Sequence, residues 1–143
     1  MADAPKTESV VPFRVRYPEI DRMGVAHHMH YLAWFEMGRT ELMRSAGVPY
    51  AAVEDEMGFL FPVVEADARY RSPARYDEQL EVRTSIGLIE GPRVRFDYRV
   101  VRPATGETLA EGFTIHAAVE RASGRPRRIP APLAAALRQW ETP

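Results

Sequence analysis

Apolar residues recur with two different periods along this chain, and the change of period marks the elements. Val11, Phe13, Val15 and Tyr17 alternate with Pro12, Arg14, Arg16 and Pro18, the period of two that turns one face of a strand toward a core. Pro12 has no N–H for a ladder, so this first strand is expected at an edge or terminus of its sheet. From about His28 to Ala46 the period lengthens. Tyr31, Trp34, Phe35, Gly38 and Leu42 fall on one helical face and Glu36, Thr40 and Arg44 on another. Gly47 followed by Pro49 ends that helix, since glycine suits a left-handed cap and proline cannot continue the turn. A helix with this much aromatic bulk is expected to be largely wrapped by sheet.

After a short connection through Tyr50 to Glu56, four more strand-like runs follow, divided by turns rather than helices. Phe59 to Tyr70 is the first and Ser72-Pro73 closes it. Leu80, Val82, Thr84, Ile86 and Leu88 alternate in the second, which turns at Glu90-Gly91-Pro92 into Val94, Phe96, Tyr98 and Val100. A loop at Pro103 to Gly106 leads to the last, with Leu109, Phe113, Ile115, Ala117 and Val119 expected on one face. Short connections imply antiparallel neighbours, because parallel pairs need a long crossover. Pro130 to Trp140 reads as a terminal helix with Leu133, Leu137 and Trp140 at helical spacing. Strand, long helix, four strands and short helix make an α+β architecture in which one sheet buries one exceptionally apolar helix. At 143 residues and 45% hydrophobic content the chain has the size of one compact domain. It is expected over residues 11–143, behind a loose, polar lead-in at residues 1–10.

Composition narrows the chemistry. Nineteen Lys and Arg face twenty Asp and Glu, a formal net charge of −1, so no global field draws nucleic acid or an anionic membrane. Cysteine is absent, which excludes a thiol nucleophile, disulfides and thiolate metal sites. Asp3, Lys6, Thr7 and Glu8 interrupt the stretch where a secretory signal needs an unbroken apolar run, and no later segment approaches a membrane span. A soluble cytoplasmic protein without membrane insertion is the expectation.

The densest chemistry lies where the first strand hands over to the helix. Tyr17 to Arg44 reads Y-P-E-I-D-R-M-G-V-A-H-H-M-H-Y-L-A-W-F-E-M-G-R-T-E-L-M-R: a carboxylate, a glycine, three histidines and then the helix. Taken alone, Asp21 is a loop carboxylate of the kind that caps turns and helix starts. The order Asp21, Gly24, Val25, His28 and Tyr31, continued by Trp34-Phe35-Glu36 and Arg39, resembles the signature of the 4-hydroxybenzoyl-CoA thioesterase-like branch of the hotdog-fold acyl-CoA thioesterases. Tyr70-Arg-Ser-Pro-Ala-Arg-Tyr-Asp77 resembles that family's second segment, so the likeness runs from Val11 to about Leu137.

The resemblance implies a hotdog fold, a curved antiparallel sheet of about five strands around a long central helix, assembled as a homodimer or homotetramer. It implies hydrolysis of an acyl-CoA substrate without a further cofactor, Asp21 acting as nucleophile or as general base toward water. The N-terminus of the central helix would serve as oxyanion site, with His28 supplying a backbone N–H. Gly24 would let the loop turn tightly and clear the approach, and Tyr31 would belong to the substrate site. Glu36, two turns into the helix, is the alternative base in some members of the fold. Its spacing to Arg39, Glu41 and Arg44 otherwise reads as surface ion pairs.

His27, His28 and His30 invite a metal reading, but consecutive residues at a helix start point in different directions and no second ligand group accompanies them, so no metal is expected. Arg121, Arg125, Arg127 and Arg128 form the concentrated basic segment. Arg127 and Arg128 are candidates for coenzyme A phosphates, with a solvated basic turn as the equal alternative. No interleaved aromatics accompany them, and nucleic acid is not expected as a partner. Two rival functions remain at this stage: a non-catalytic acyl-CoA binding or sensing protein, and a hotdog hydratase or dehydratase.

Overall fold

The structure, a computed structural model, describes residues 8–142, so most of the predicted lead-in lies outside the described residues. Strand β1 (Ser9–Arg14) starts two residues before the alternation predicted, and Ser9, Val11, Phe13 and the following Val15 turn inward while Val10, Pro12 and Arg14 face out. Tyr17 does not continue the strand. A 3-10 turn over Tyr17–Glu19 rotates it outward to 73% exposure, because Pro18 fixes the backbone in a geometry suited to the first position of a turn.

Helix α1 (Met29–Ser45) follows, with His28 at its N-cap. Tyr31, Trp34, Phe35, Gly38, Leu42 and Met43 are buried, the face predicted from spacing plus Met43. Its end is a Schellman motif: Gly47, at φ 81°, donates to the Arg44 carbonyl at 3.1 Å and Val48 to that of Met43 at 2.9 Å. The connection expected through Tyr50–Glu56 is instead helical, a turn of α2 (Tyr50–Ala52) running into a π-type turn at Val53–Met57 that ends on Gly58 at φ 72°.

The run from Phe59 to Tyr70 splits into β2 (Phe59–Leu60) and β3 (Val63–Tyr70), Pro62 supplying no N–H at the break. Then come β4 (Gln79–Glu90), β5 (Arg93–Arg102) and β6 (Glu107–Ala117). A hairpin of β7 (Val119–Glu120) and β8 (Arg125–Pro126) and the terminal α3 (Ala131–Arg138) complete the order. The main sheet is antiparallel throughout, in the order β1-β4-β5-β6-β3, while β2-β7-β8 form a small second sheet. β1, which carries Pro12, is one edge, as the patterning predicted, and β3 is the other.

The sheet curls around α1. Phe35 stacks on Tyr98 of the central strand with centroids 4.4 Å apart and planes at 4°, and Gly38 lets the helix sit close over Thr84 and Val82. Wrapping is less complete than the aromatic content predicted, for Met29 and Leu32 on the far face of α1 are 63% and 44% exposed. The last strand also presents a different face from the one predicted. Ala110, Gly112, Thr114 and His116 stand opposite Val100, Tyr98, Phe96 and Val94 on the helix side. The register shift at Val100/Val101 turns Phe113 and the buried Ile115 to the sheet face away from the helix, where Phe113 lies 4.0 Å beneath the Arg95 guanidinium.

That inner face carries a buried polar chain that the sequence did not disclose. His116, 1% exposed, places Nδ1 2.9 Å from the Phe61 carbonyl and Nε2 2.9 Å from the Thr114 hydroxyl, itself 2.5 Å from the Tyr98 hydroxyl. A carbonyl only accepts, so Nδ1 carries the proton and Nε2 accepts from Thr114, which leaves Tyr98 to donate to Thr114. Tyr50 donates to the same Phe61 carbonyl at 2.9 Å. Burial, with the nearby Arg39 charge, outweighs the Phe61 hydrogen bond and lowers His116 to a pKa of about 4.

Candidate active site

Four elements converge on the strand-to-helix junction. The 3-10 turn and an antiparallel bridge between Ile20 and Ala26 close residues 21–25 into a tight loop, with Asp21 donating to the Val25 carbonyl at 2.8 Å. Inside it, Asp21 Oδ1 accepts the Met23 N–H at 2.7 Å, and Gly24 donates to the Asp21 carbonyl at 3.0 Å. Asp21 therefore does hold its own turn, as a loop aspartate would, with one oxygen; among the described residues its Oδ2 has no protein donor. Gly24 sits at φ 79°, and a Cβ there would meet nothing within 4 Å. Backbone conformation, not crowding within this chain, is what selects glycine.

The helix entry is fixed from below by Glu19. This carboxylate, 3% exposed, accepts the Arg16 N–H at 2.7 Å and the Trp34 indole N–H at 2.8 Å, while its own carbonyl accepts the N–H of His27 at 2.8 Å. Burial pushes its pKa up, but the Arg16 N–H, the Trp34 indole and the Arg16 charge together hold it below the ordinary carboxylate value. Glu19, two residues before Asp21 in the sequence, is thus a buried anchor.

At the first turn of α1, His27 Nδ1 accepts the Met29 N–H at 3.2 Å and the His27 carbonyl accepts that of His30 at 3.1 Å. The N–H of His28 meets no protein acceptor among the described residues. Three histidine rings gather there, His27 to His28 at 4.2 Å and His27 to His30 at 6.3 Å between centroids, yet no three His, Asp or Glu side chains among the described residues are placed to hold one metal ion.

Asp21, His28 and Tyr31 line a single cleft of about 350 Å³ together with Tyr70, Arg71 and Ser72. Tyr70 forms one wall of that cleft. It is 49% exposed, donates to the His28 carbonyl at 3.3 Å, and lies edge-on to Tyr31 with centroids 5.0 Å apart. Tyr31 is 3% exposed, so it forms the floor behind Tyr70; burial raises its hydroxyl pKa despite a bond from the Ala74 backbone. Tyr70 closes a strand and precedes Ser72-Pro73, and its place beside the second family-like segment was the signal available.

The remaining candidates lie elsewhere. Glu36 is exposed on the far face of α1, 3.9 Å from Arg39, and does not line the cleft. Arg127 and Arg128 are exposed at and after the β7–β8 hairpin. That hairpin follows the end of β6 where His116 faces Val63, whereas Tyr70 and the cleft lie at the opposite end, by Ala110. Within one chain the structure does not bring these arginines to Asp21.

Fold and cleft together define a hotdog thioesterase architecture. A family model described as the thioesterase-like superfamily matches residues 15–137, and the chain belongs to that family. It is 37% identical to the putative acyl-CoA thioesterase YneP of Bacillus subtilis, over 78% of this chain and 80% of that protein. The acyl-CoA thioester hydrolase YbgC of Escherichia coli O6:H1 is 32% identical over 90% of this chain and 94% of that one. Among solved structures, a hypothetical protein of Thermus thermophilus superposes with a TM-score of 0.84 at 42% identity, covering 91% and 97% of the two chains. No described helix is long and apolar enough to cross a membrane.

Proposed function

We propose that this chain hydrolyses an acyl-CoA thioester to a free acid and coenzyme A. The observation that carries the reading is the pairing, on one cleft, of a carboxylate whose Oδ2 has no donor, Asp21, with a residue whose backbone N–H has no acceptor, His28, both among the described residues. The likeness to the putative acyl-CoA thioesterase YneP and the acyl-CoA thioester hydrolase YbgC supports the substrate class.

The thioester carbonyl oxygen accepts from the His28 N–H at the positive end of α1, where negative charge develops as the tetrahedral intermediate forms. Asp21 either attacks the carbonyl carbon, giving an enzyme-bound anhydride that water cleaves, or takes a proton from the attacking water. The leaving thiolate has a parent pKa of roughly 8.5, by analogy with cysteine, so departure needs no strong acid. Tyr70 and Tyr31 form an aromatic wall along which the acyl or pantetheine portion lies.

The protein works as a cytoplasmic homodimer or homotetramer. The exposed β3 edge, with Val63 and Val64 at 47% and 58%, supports antiparallel joining to a second β3. Such a two-fold pairing sets the Val63 end of one strand beside the Tyr70 end of its partner. Arg127 and Arg128 enter the substrate reading only by that route.

The test is thiol release from short, long and aromatic acyl-CoAs by the native chain and by Asp21→Asn. Turnover that collapses in a folded, fully assembled Asp21→Asn protein is the expected result. Undiminished turnover removes Asp21 from the chemistry; acyl-CoA binding without any turnover favours a sensing protein instead.

A further inference from the structure

A groove runs along the flank of α1 beside the end of β1. Phe13, Arg14 and Arg16 border it from the strand side and Ala33, Trp34 and Met37 from the helix, around a cavity of about 470 Å³. A second cavity of about 330 Å³ shares Ala33 and Met37 and continues the groove to Glu36 and Glu41. The groove has no lining residue in common with the Asp21 cleft. Its volume is that of a small-molecule site, roughly 300–1,000 Å³.

Charge is sorted along this groove. At the β1 end, Arg14 donates to two neutral oxygens, the Asp77 carbonyl at 2.8 Å and Gln79 Oε1 at 3.3 Å, and among the described residues it has no carboxylate partner. The Arg16 side chain is 74% exposed, with Nε 3.5 Å from Glu19 Oε1. Glu19 also lines the groove, but it is 3% exposed and each of its oxygens already accepts an N–H, one from the Arg16 backbone and one from Trp34. At the far end stand Glu36 and Glu41, paired with Arg39 and Arg44. An apolar middle of Phe13, Ala33, Trp34 and Met37 thus joins a cationic end to an acidic one. The ligand that matches is an amphiphile: its carboxylate meets the guanidinium forks and its aliphatic tail stops short of the glutamates.

We propose that this groove binds a medium-chain aliphatic carboxylate, with its head on Arg14 and Arg16 and its tail along Phe13, Trp34, Ala33 and Met37, as a second site apart from the Asp21 cleft. The source of the ligand rests on the hydrolase reading above, since a free acid is what that reaction releases. The groove reaches the helix entry through one bond. Trp34 donates to Glu19, whose carbonyl holds the His27 N–H beside the proposed oxyanion donor. A tail packed on the indole favours the position of Trp34 that it contacts best, so the bound acid slows turnover through kcat and leaves KM unchanged.

Calorimetry of the full chain with decanoate tests the binding, and steady-state thiol release from one acyl-CoA with added decanoate tests its consequence. Native protein should bind decanoate, and should bind decanol about tenfold more weakly because the alcohol brings no charge to the arginines. Ala33→Trp fills the groove from an exposed helix position. That variant, and Arg14→Gln combined with Arg16→Gln, should each weaken decanoate about tenfold. Decanoate should lower kcat of the native protein and have little effect on Ala33→Trp, whose turnover without decanoate stays native. Absence of decanoate binding to native protein overturns the proposal, as does binding that both variants retain or that decanol matches. Inhibition that raises KM alone and persists in Ala33→Trp places the acid in the Asp21 cleft and overturns it equally. Decanoate binding that is lost in Ala33→Trp, in a protein that hydrolyses no acyl-CoA, keeps the groove site and rejects the hydrolase reading.

Discussion

The indole N–H of Trp34 donates to Glu19 Oε2 at 2.8 Å across fifteen residues of sequence, joining the turn before the Asp21 loop to the second turn of α1. Phe13 and Tyr31 flank that indole, with centroids 4.9 and 4.5 Å away, so the bond forms beside an aromatic layer. The geometry of the cleft depends on it, because Glu19 also holds the His27 N–H that leads into the helix.

Glu19→Ala should therefore cost about 2 kcal/mol of stability by leaving the indole and the Arg16 N–H unmatched. Native Glu19 has a pKa below its unfolded value. The folded state binds its proton less readily, so this stabilisation is complete above the ordinary carboxylate pKa and is lost as pH falls through the depressed folded value. Urea unfolding of native and variant protein at neutral and acid pH reads both effects; a difference that does not shrink in acid would contradict the assignment.

His116 gives a second, higher acid window. Its folded pKa of about 4 lies below the unfolded value of 6.5, so between those two values the unfolded chain binds more protons and stability rises with pH. The full contribution is present above 6.5 and is on the order of 3 kcal/mol. His116→Gln keeps an acceptor for Thr114 and a donor for Phe61 without the titration, and should flatten the stability profile across that window.

Gly38→Ala tests how closely helix and sheet approach. A Cβ there would overlap Thr84 Oγ1 and lie 3.1 Å from a Val82 methyl. Both are buried and β-branched, with little room to move. The variant should lose about 1–3 kcal/mol despite alanine's better helix propensity. Among the described residues Thr84 Oγ1 has no hydrogen-bond partner, so adding Thr84→Ala should recover much of the loss in a thermal melt; no recovery would place the clash elsewhere.

Charging the open edge tests the assembly. Lysines introduced as Val64→Lys and Ala66→Lys should leave the helix and strand content intact, reduce the mass seen by light scattering to that of one chain, and depress thiol release. An unchanged mass would mean that another surface joins the subunits.

Much of this was legible in the sequence, for identifiable reasons. Strict alternation marked β1, β4 and β5, and helical spacing marked the buried face of α1, since each pattern reflects one-sided burial. Gly47 and Pro12 announced a cap and an edge because their backbones allow little else. What escaped depended on contacts remote in sequence. The inner face of β6 was misassigned because a register shift at Val100/Val101 reverses its alternation. His116 was overlooked because the Phe61 carbonyl it meets lies 55 residues away between β2 and β3, and Tyr98 on β5 joins it only through Thr114. At the junction, Asp21, Gly24 and His28 were picked out by the family resemblance of their order, whereas Tyr70 entered the cleft and Arg127 and Arg128 stayed away from it through strand pairing alone.

The two borders of the main sheet are chemically unequal. β1 carries Pro12, which offers no N–H, while β3 runs from Val63 to Tyr70 without a proline. A sheet that can be lengthened at one border only is lengthened once: when two such borders meet, the outer margins of the joined sheet are both β1. Under the proposed β3-to-β3 joining, strand pairing in that direction would therefore stop at two copies, a closed particle rather than a growing fibre.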